Sequence, residues 1–217
     1  FPAYVNPGPI ANENEALQDF KFNFQIKEPY QLIHLFLPKL QSFESAQLAG
    51  KFNSVNNYFT LNGQLPFIKY DNMSMKSLSL NAQSKGGLFY TEVNCNTIAL
   101  TDSFNIQDAQ LKIIAAHDSL IYSLTAANDT GRSIASLTGL AYTSPSRIWM
   151  RLGESNLVIA GKTWRINPVN EFVYENDKLR VRDFGFQNEN QYVIFNTQSD
   201  SSKIYNLHVS VRNLSLV

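Results

Sequence analysis

Cysteine is almost missing from this chain of 217 residues: Cys95 stands alone. A single cysteine excludes an internal disulfide and a Cys-rich metal site. Net charge is missing too. The 18 Lys and Arg balance 18 Asp and Glu, for a formal net charge of +0. That leaves no electrostatic footprint for nucleic acid and no polybasic cluster for an anionic membrane surface. No run approaches the ~20 consecutive apolar residues that a membrane-spanning helix needs. The opening Phe1-Pro2-Ala3 offers neither the basic stretch nor the apolar core of a secretory signal. The chain therefore reads as a segment of a longer protein.

Signatures of catalysis are equally scarce. There is no Gly-x-Ser-x-Gly elbow and no phosphate-binding glycine loop. His34, His117 and His208 are far apart, and none has a second His or Cys at metal-ligand spacing. No metal and no cofactor are expected. Asp118, Asp129 and Asp200 fall at turn positions, and only the fold could bring two of them together as an acid–base pair. Cys95, between Asn94 and Asn96, reads as a strand residue rather than a nucleophile. Gly86-Gly87 reads as a hairpin turn. The Asn-x-Ser/Thr triplets at Asn72, Asn128 and Asn213 occur at chance frequency in an Asn- and Ser-rich chain. An enzyme is not expected.

What the chain does have is apolar alternation. Aromatic residues make up 12% of it, with 15 Phe and 10 Tyr, which is enough apolar material to exclude a disordered polymer. Pro2 to Pro9 is irregular. Phe20, Phe22, Phe24 and Ile26 then alternate with Lys21, Asn23 and Gln25, the period of a strand with one apolar face. Tyr30 to Leu40 differs: Leu32, Ile33, Leu35, Phe36, Leu37 and Leu40 follow helical spacing after Pro29, and a short helix is predicted there. Its apolar surface is expected to cap an open sheet.

Strand patterns resume at Leu48, Gly50 and Phe52. They continue through Phe59–Leu65, Leu78–Leu80, Phe89–Val93, Leu111–Ala115, Leu120–Leu124, Ile148–Leu152 and Leu207–Val211. Turns are marked by Asn56-Asn57, His117-Asp118 and Asn128-Asp129-Thr130-Gly131. Hairpin-length turns without helical crossovers predict an all-β, mainly antiparallel fold. Periodicity leaves a sandwich, a barrel and an open repeating sheet all possible. The period-two positions Phe22, Phe24, Phe52, Leu61, Leu80, Ile113 and Val209 are expected to face an apolar interior. Trp149 and Trp164 would form a carbohydrate platform if exposed, but their apolar neighbours predict burial.

One stretch carries more than alternation. Gly161-Lys162-Thr163-Trp164-Arg165-Ile166-Asn167-Pro168 leads into Asn170-Glu171-Phe172-Val173-Tyr174, then into a strand-like run from Lys178 to Phe184. Phe186, Asn188-Glu189-Asn190-Gln191, Val193, Phe195 and Tyr205-Asn206-Leu207 complete the cadence. This pattern resembles the TamB family, AsmA-like translocation and assembly module proteins of Gram-negative envelopes. Glu28 to Leu40 and Phe52-Asn53 resemble it as well.

The resemblance implies a curled antiparallel sheet, a taco or groove with an apolar lining, carrying one short helix at 30–40. Residues 1–217 would then be a single β-rich segment of a longer repeating-sheet protein. It further implies a periplasmic location, with the full-length protein anchored in the inner membrane. The implied role is outer-membrane biogenesis through phospholipid transport or outer-membrane protein assembly. The implied partners are phospholipid acyl chains and an outer-membrane assembly barrel. The alternative is a β-sandwich binding or adhesion module for glycan or protein. A small outer-membrane barrel is disfavoured, because its strands need about nine to eleven residues and many of the predicted segments are shorter.

Overall fold

The alternation becomes extended backbone throughout the computed structural model, which describes residues 17–27, 39–101, 104–199 and 205–214. Those residues form seventeen strands and no helix, in an antiparallel sheet that does not close. The predicted helix at Tyr30 to Leu40 lies outside the described residues as far as Pro38. Its last two positions are a turn residue, Lys39, and the first residue of a strand, Leu40. The described residues pack as two compact units, one of residues 17–114 with 124–133, the other of 115–123 with 134–214.

The first unit is built from β1 (Asp19–Ile26), β2 (Leu40–Phe43), β3 (Ala46–Asn53), β4 (Tyr58–Tyr70), β5 (Met73–Lys85), β6 (Leu88–Thr101) and most of β7 (Phe104–Ala116). Strand β1 pairs with β3, β3 with β4, β4 with β5 and β5 with β6. Strand β2 takes the far half of β4, at Ile68 to Tyr70. Pro66 falls between the two partners, after β3 stops at Gln64 and before β2 begins. The backbone of Pro66 itself points toward β5, because the Phe67 carbonyl accepts from the Glu44 N–H on the β2 side. There the ladder skips Pro66 and Ser77 (φ 54°), so the missing proline N–H costs little.

Strands β4 to β7 run for 13 or 14 residues. The sequence had suggested shorter segments, so strand length does not argue against membrane-crossing strands. The difference arises because Pro66 breaks the pattern of β4 without breaking its backbone.

Two-residue hairpins of type I′ need φ > 0 at both central residues. Gly86-Gly87 (φ 59° and 77°) supplies this between β5 and β6, where a glycine pair was expected to turn the chain. His117-Asp118 does the same after β7 with φ of 46° and 64°. One glycine serves a different purpose. A Cβ on Gly50 would lie 2.4 Å from Cζ of Phe22, its cross-strand partner, and 2.9 Å from the Thr60 carbonyl oxygen. The Phe22 ring covers the space that a side chain would have taken.

The second unit contains the start of β8 (Ser119–Ala127), β9 (Ser133–Ser144) and eight further strands. These are β10 (Arg147–Leu152), β11 (Ser155–Ile159), β12 (Lys162–Ile166), β13 (Glu171–Glu175), β14 (Lys178–Arg182), β15 (Phe184–Asn188), β16 (Gln191–Ser199) and β17 (Tyr205–Arg212). Strand β9 forks. Its Gly139 to Ser144 half pairs with β10, while Ala135 and Ser136 pair with β11. One branch continues through β13 and β14, the other through β12, β15, β16 and β17.

The branches pack on each other through the Phe172 and Phe184 rings, 5.0 Å apart, and Phe184 in turn meets Phe186 and Phe195. Trp164, Ile166, Val173 and Val181 are buried. The run from Lys178 to Phe184, expected as one strand, is cut at Asp183. That residue has φ of 51°, and its N–H donates to Asn196 Oδ1 at 2.7 Å.

The Asn-Pro turn carries the chain from one branch to the other. Asn167 Oδ1 accepts from the Val169 N–H, and its own amide donates to the Asp183 carbonyl. Asn170, 0% exposed, stands opposite Leu152 where the β10–β13 pairing ends. Its Oδ1 accepts from the Leu152 N–H at 2.9 Å, and its Nδ2 donates to the Leu152 carbonyl at 2.9 Å and to the Asn167 carbonyl. The side chain thus replaces the next rung of the ladder.

Two substitutions test this account by urea denaturation. Gly50→Ala should destabilise by about 1–3 kcal/mol, because the new methyl must displace Phe22. Asn170→Ala should cost about 3 kcal/mol by leaving the Leu152 peptide unpaired in a dry site. Wild-type stability in either variant would overturn the corresponding contact.

Candidate functional site

Directly opposed residues of an antiparallel pair point to the same side. In the first unit the register therefore assigns every side chain to one of two faces. One face carries Phe20, Phe22, Phe24 and Ile26 of β1, with Leu48, Gly50 and Phe52 of β3. It continues through Phe59, Leu61, Gly63 and Leu65 of β4, then Leu78, Leu80 and Ala82 of β5. Phe89, Val93 and Cys95 of β6 extend it. The other face carries Lys21, Asn23, Lys51, Asn62, Gln64, Ser79, Asn81, Gln83, Glu92 and Asn94 at the alternate positions.

Strand β7 keeps the same division. Gln110 Nε2 donates to Glu92 Oε1 at 2.9 Å and to Asn94 Oδ1 at 2.8 Å, so Gln110 and Lys112 belong to the polar face. Ile113 is then on the apolar one.

Six of the seven expected apolar positions, Phe22, Phe24, Phe52, Leu61, Leu80 and Ile113, thus share one face. Five of them are half-buried, and Phe24 is 60% exposed. Val209 lies in the second unit, opposite Phe195 on β16, and is 45% exposed. Phe59 and Phe89, read in the sequence as strand residues but not among the seven interior positions, have rings 5.8 Å apart at one end of the apolar face. Their parity with Leu61 and Val93 was the signal that could have found them.

The polar face has its own depression, about 420 Å³, lined in part by Asn62, Asn81, Gln83, Tyr90, Glu92 and Lys112. In the second unit a larger depression, about 970 Å³, is lined in part by Asn156, Arg165, Pro168, Gln187 and Tyr192. Neither tryptophan forms an open platform: Trp164 is buried and Trp149 half-buried.

Cys95 is buried in the middle of β6. Burial pushes its thiol pKa above the ordinary value, so it stays protonated and inert as a nucleophile. Among the described residues no three His, Cys, Asp or Glu side chains gather at metal-binding distance. No family model, curated protein or solved structure matches this chain.

One carboxylate is conspicuously tuned. Trp149 Nε1 donates to Glu171 Oε1 at 2.7 Å, and Arg182 pairs with Oε2. The indole N–H holds the Glu171 carboxyl below its usual range. Partial burial opposes this, and Arg182 adds to the lowering. Such a group stays ionised and serves as an anchor, not as a general acid.

Its folded pKa is depressed, so its contribution to stability is present above the unfolded value near 4.5 and lost as pH falls through the folded one. Glu171→Gln should flatten the acid limb of a stability–pH curve below about pH 4.5. An acid limb identical to wild type would show that Glu171 is not the group responsible.

Proposed function

We propose that this chain is a periplasmic segment of a TamB-like protein. In this reading its sheet curls into a groove that holds phospholipid acyl chains during outer-membrane biogenesis. The supporting observation is the division of the first unit into two faces. Six positions singled out by period alone share an apolar side. The residues that alternate with them on β3, β5 and β4 before Pro66 are mostly polar, whereas beyond Pro66 the other side carries Ile68, Met75 and Ile98. Water contact with the shared apolar face is costly. Each CH₂ moved from water onto it is worth roughly 0.8 kcal/mol, and large exposed apolar patches on proteins mark binding surfaces.

The groove reading is tested with photo-crosslinking residues placed one at a time in the full-length protein. Adducts with phospholipid are expected at Leu61 and Ile113, and few at Asn62 and Lys112 on the other side. Equal labelling of both sets would sink the conduit.

A second reading has its own support. The depression over Asn62, Asn81, Gln83, Tyr90 and Glu92 combines an aromatic ring with side-chain amides and a carboxylate, which suits a glycan or a polar protein surface. That arrangement favours a binding or adhesion module. Glycan-array binding abolished by Tyr90→Ala, without lipid adducts at Leu61, would decide for it.

A further inference from the structure

The apolar face of the first unit does not run the full length of its strands. Along β4 the lane Phe59, Leu61, Gly63, Leu65, Phe67 ends at Lys69. Along β5 the lane Ala82, Leu80, Leu78 ends at Lys76. Phe67 opposes Lys76, and Lys69 opposes Ser74, so the two lysines are diagonal neighbours on the apolar side, on the order of 7 Å apart. They border a depression of about 710 Å³, together with Ser74, Asn72, Ala99 and Asn105. Among the described residues neither lysine takes part in an ion pair. The neighbouring Asp71 is bound to Lys39 at 3.0 Å. Glu44, whose N–H donates to the Phe67 carbonyl, is the carboxylate that borders the lane.

We infer that this end of the face is a headgroup subsite, and that the face takes a phospholipid of net negative charge with its phosphate between Lys69 and Lys76. The inference rests on the groove reading and adds polarity to it. Two like charges held side by side repel each other, and an anion between them relieves that repulsion while forming charge-assisted hydrogen bonds. The dimensions agree. From Leu65 to Phe59 the lane is about 20 Å at 3.3 Å per residue, against the roughly 15 Å that one leaflet contributes to a bilayer's hydrocarbon core. A chain of that length, laid along the lane from the lysine end, stays on apolar side chains and stops short of the Phe59 and Phe89 rings.

The test uses the whole chain, with pyrene-labelled phosphatidylglycerol and phosphatidylcholine as probes, and compares wild type with the K69Q/K76Q variant. Wild type should bind the anionic lipid roughly threefold to tenfold more tightly, as expected for two partly exposed charge contacts. The variant should bind both lipids at the weaker level, with an unchanged circular dichroism spectrum. Equal affinities in wild type, or a preference that survives in the variant, would overturn the headgroup subsite while leaving the groove intact. Binding of neither lipid by wild type would overturn both readings. Full displacement of the anionic lipid by millimolar glycerol phosphate would assign the lysines to a free anion and overturn the lipid assignment.

Discussion

Register is the constraint on which everything else here depends. In a strand the side chains alternate, so a slip of one residue moves an entire apolar set to the opposite face. In β1, β3 and the adjoining halves of β4, β5 and β6 each strand holds its partner so that phenylalanine, leucine and valine meet on one side of the ladder, and mostly Asn, Gln, Lys and Glu meet behind them. Short turns fix that phase. Gly86-Gly87 leaves β6 no freedom to shift against β5, and the Phe22 ring over Gly50 keys β1 to β3. Face identity is thus a collective property: no single pair could establish it, yet every pair would have to break for it to change.

The two units use the same alternation differently. In the second, a strand that forks sends two branches to face each other, and their apolar sides meet. Phe172, Phe184, Phe186 and Phe195 form a ring cluster, and two polar side chains are paired inside: Asn170 to the Leu152 peptide, Thr197 Oγ1 to the Val181 backbone. In the first, the apolar lane is only half withdrawn from water. A sheet of this kind is held by its ladders and by neighbours within one layer more than by a filled core. That is the condition in which an added apolar ligand contributes most.

Much of this was legible from the chain itself, because period two survives any tertiary arrangement. Phe22, Leu61 and Leu80 could be assigned to a common face before their partners were known, and Gly86-Gly87 and His117-Asp118 announced their turns. Other features were hidden for physical reasons. Asp183 interrupts a run that looks continuous, because its left-handed backbone is stabilised by Asn196, thirteen residues away. Strand β4 passes through Pro66 unbroken because the β5 residue opposite, Ser77, leaves the ladder there. The fork at β9 leaves no local mark, since both halves alternate normally. Lys69 and Lys76 were invisible as a pair, because lysine at a period-two position reads as outward until the register places it at the end of an apolar lane.

The fork has a consequence for motion. Along one edge a strand normally has one neighbour and peels away with it. Strand β9 divides that edge between β10 and β11, and its Thr143 N–H is also held by the Asp118 carbonyl. Opening either branch leaves the other half of β9 clamped. Opening one branch frees only the half of β9 that it pairs with, and release of the entire strand requires both branches to open, so β9 should be among the slower strands of the second unit to exchange with deuterium.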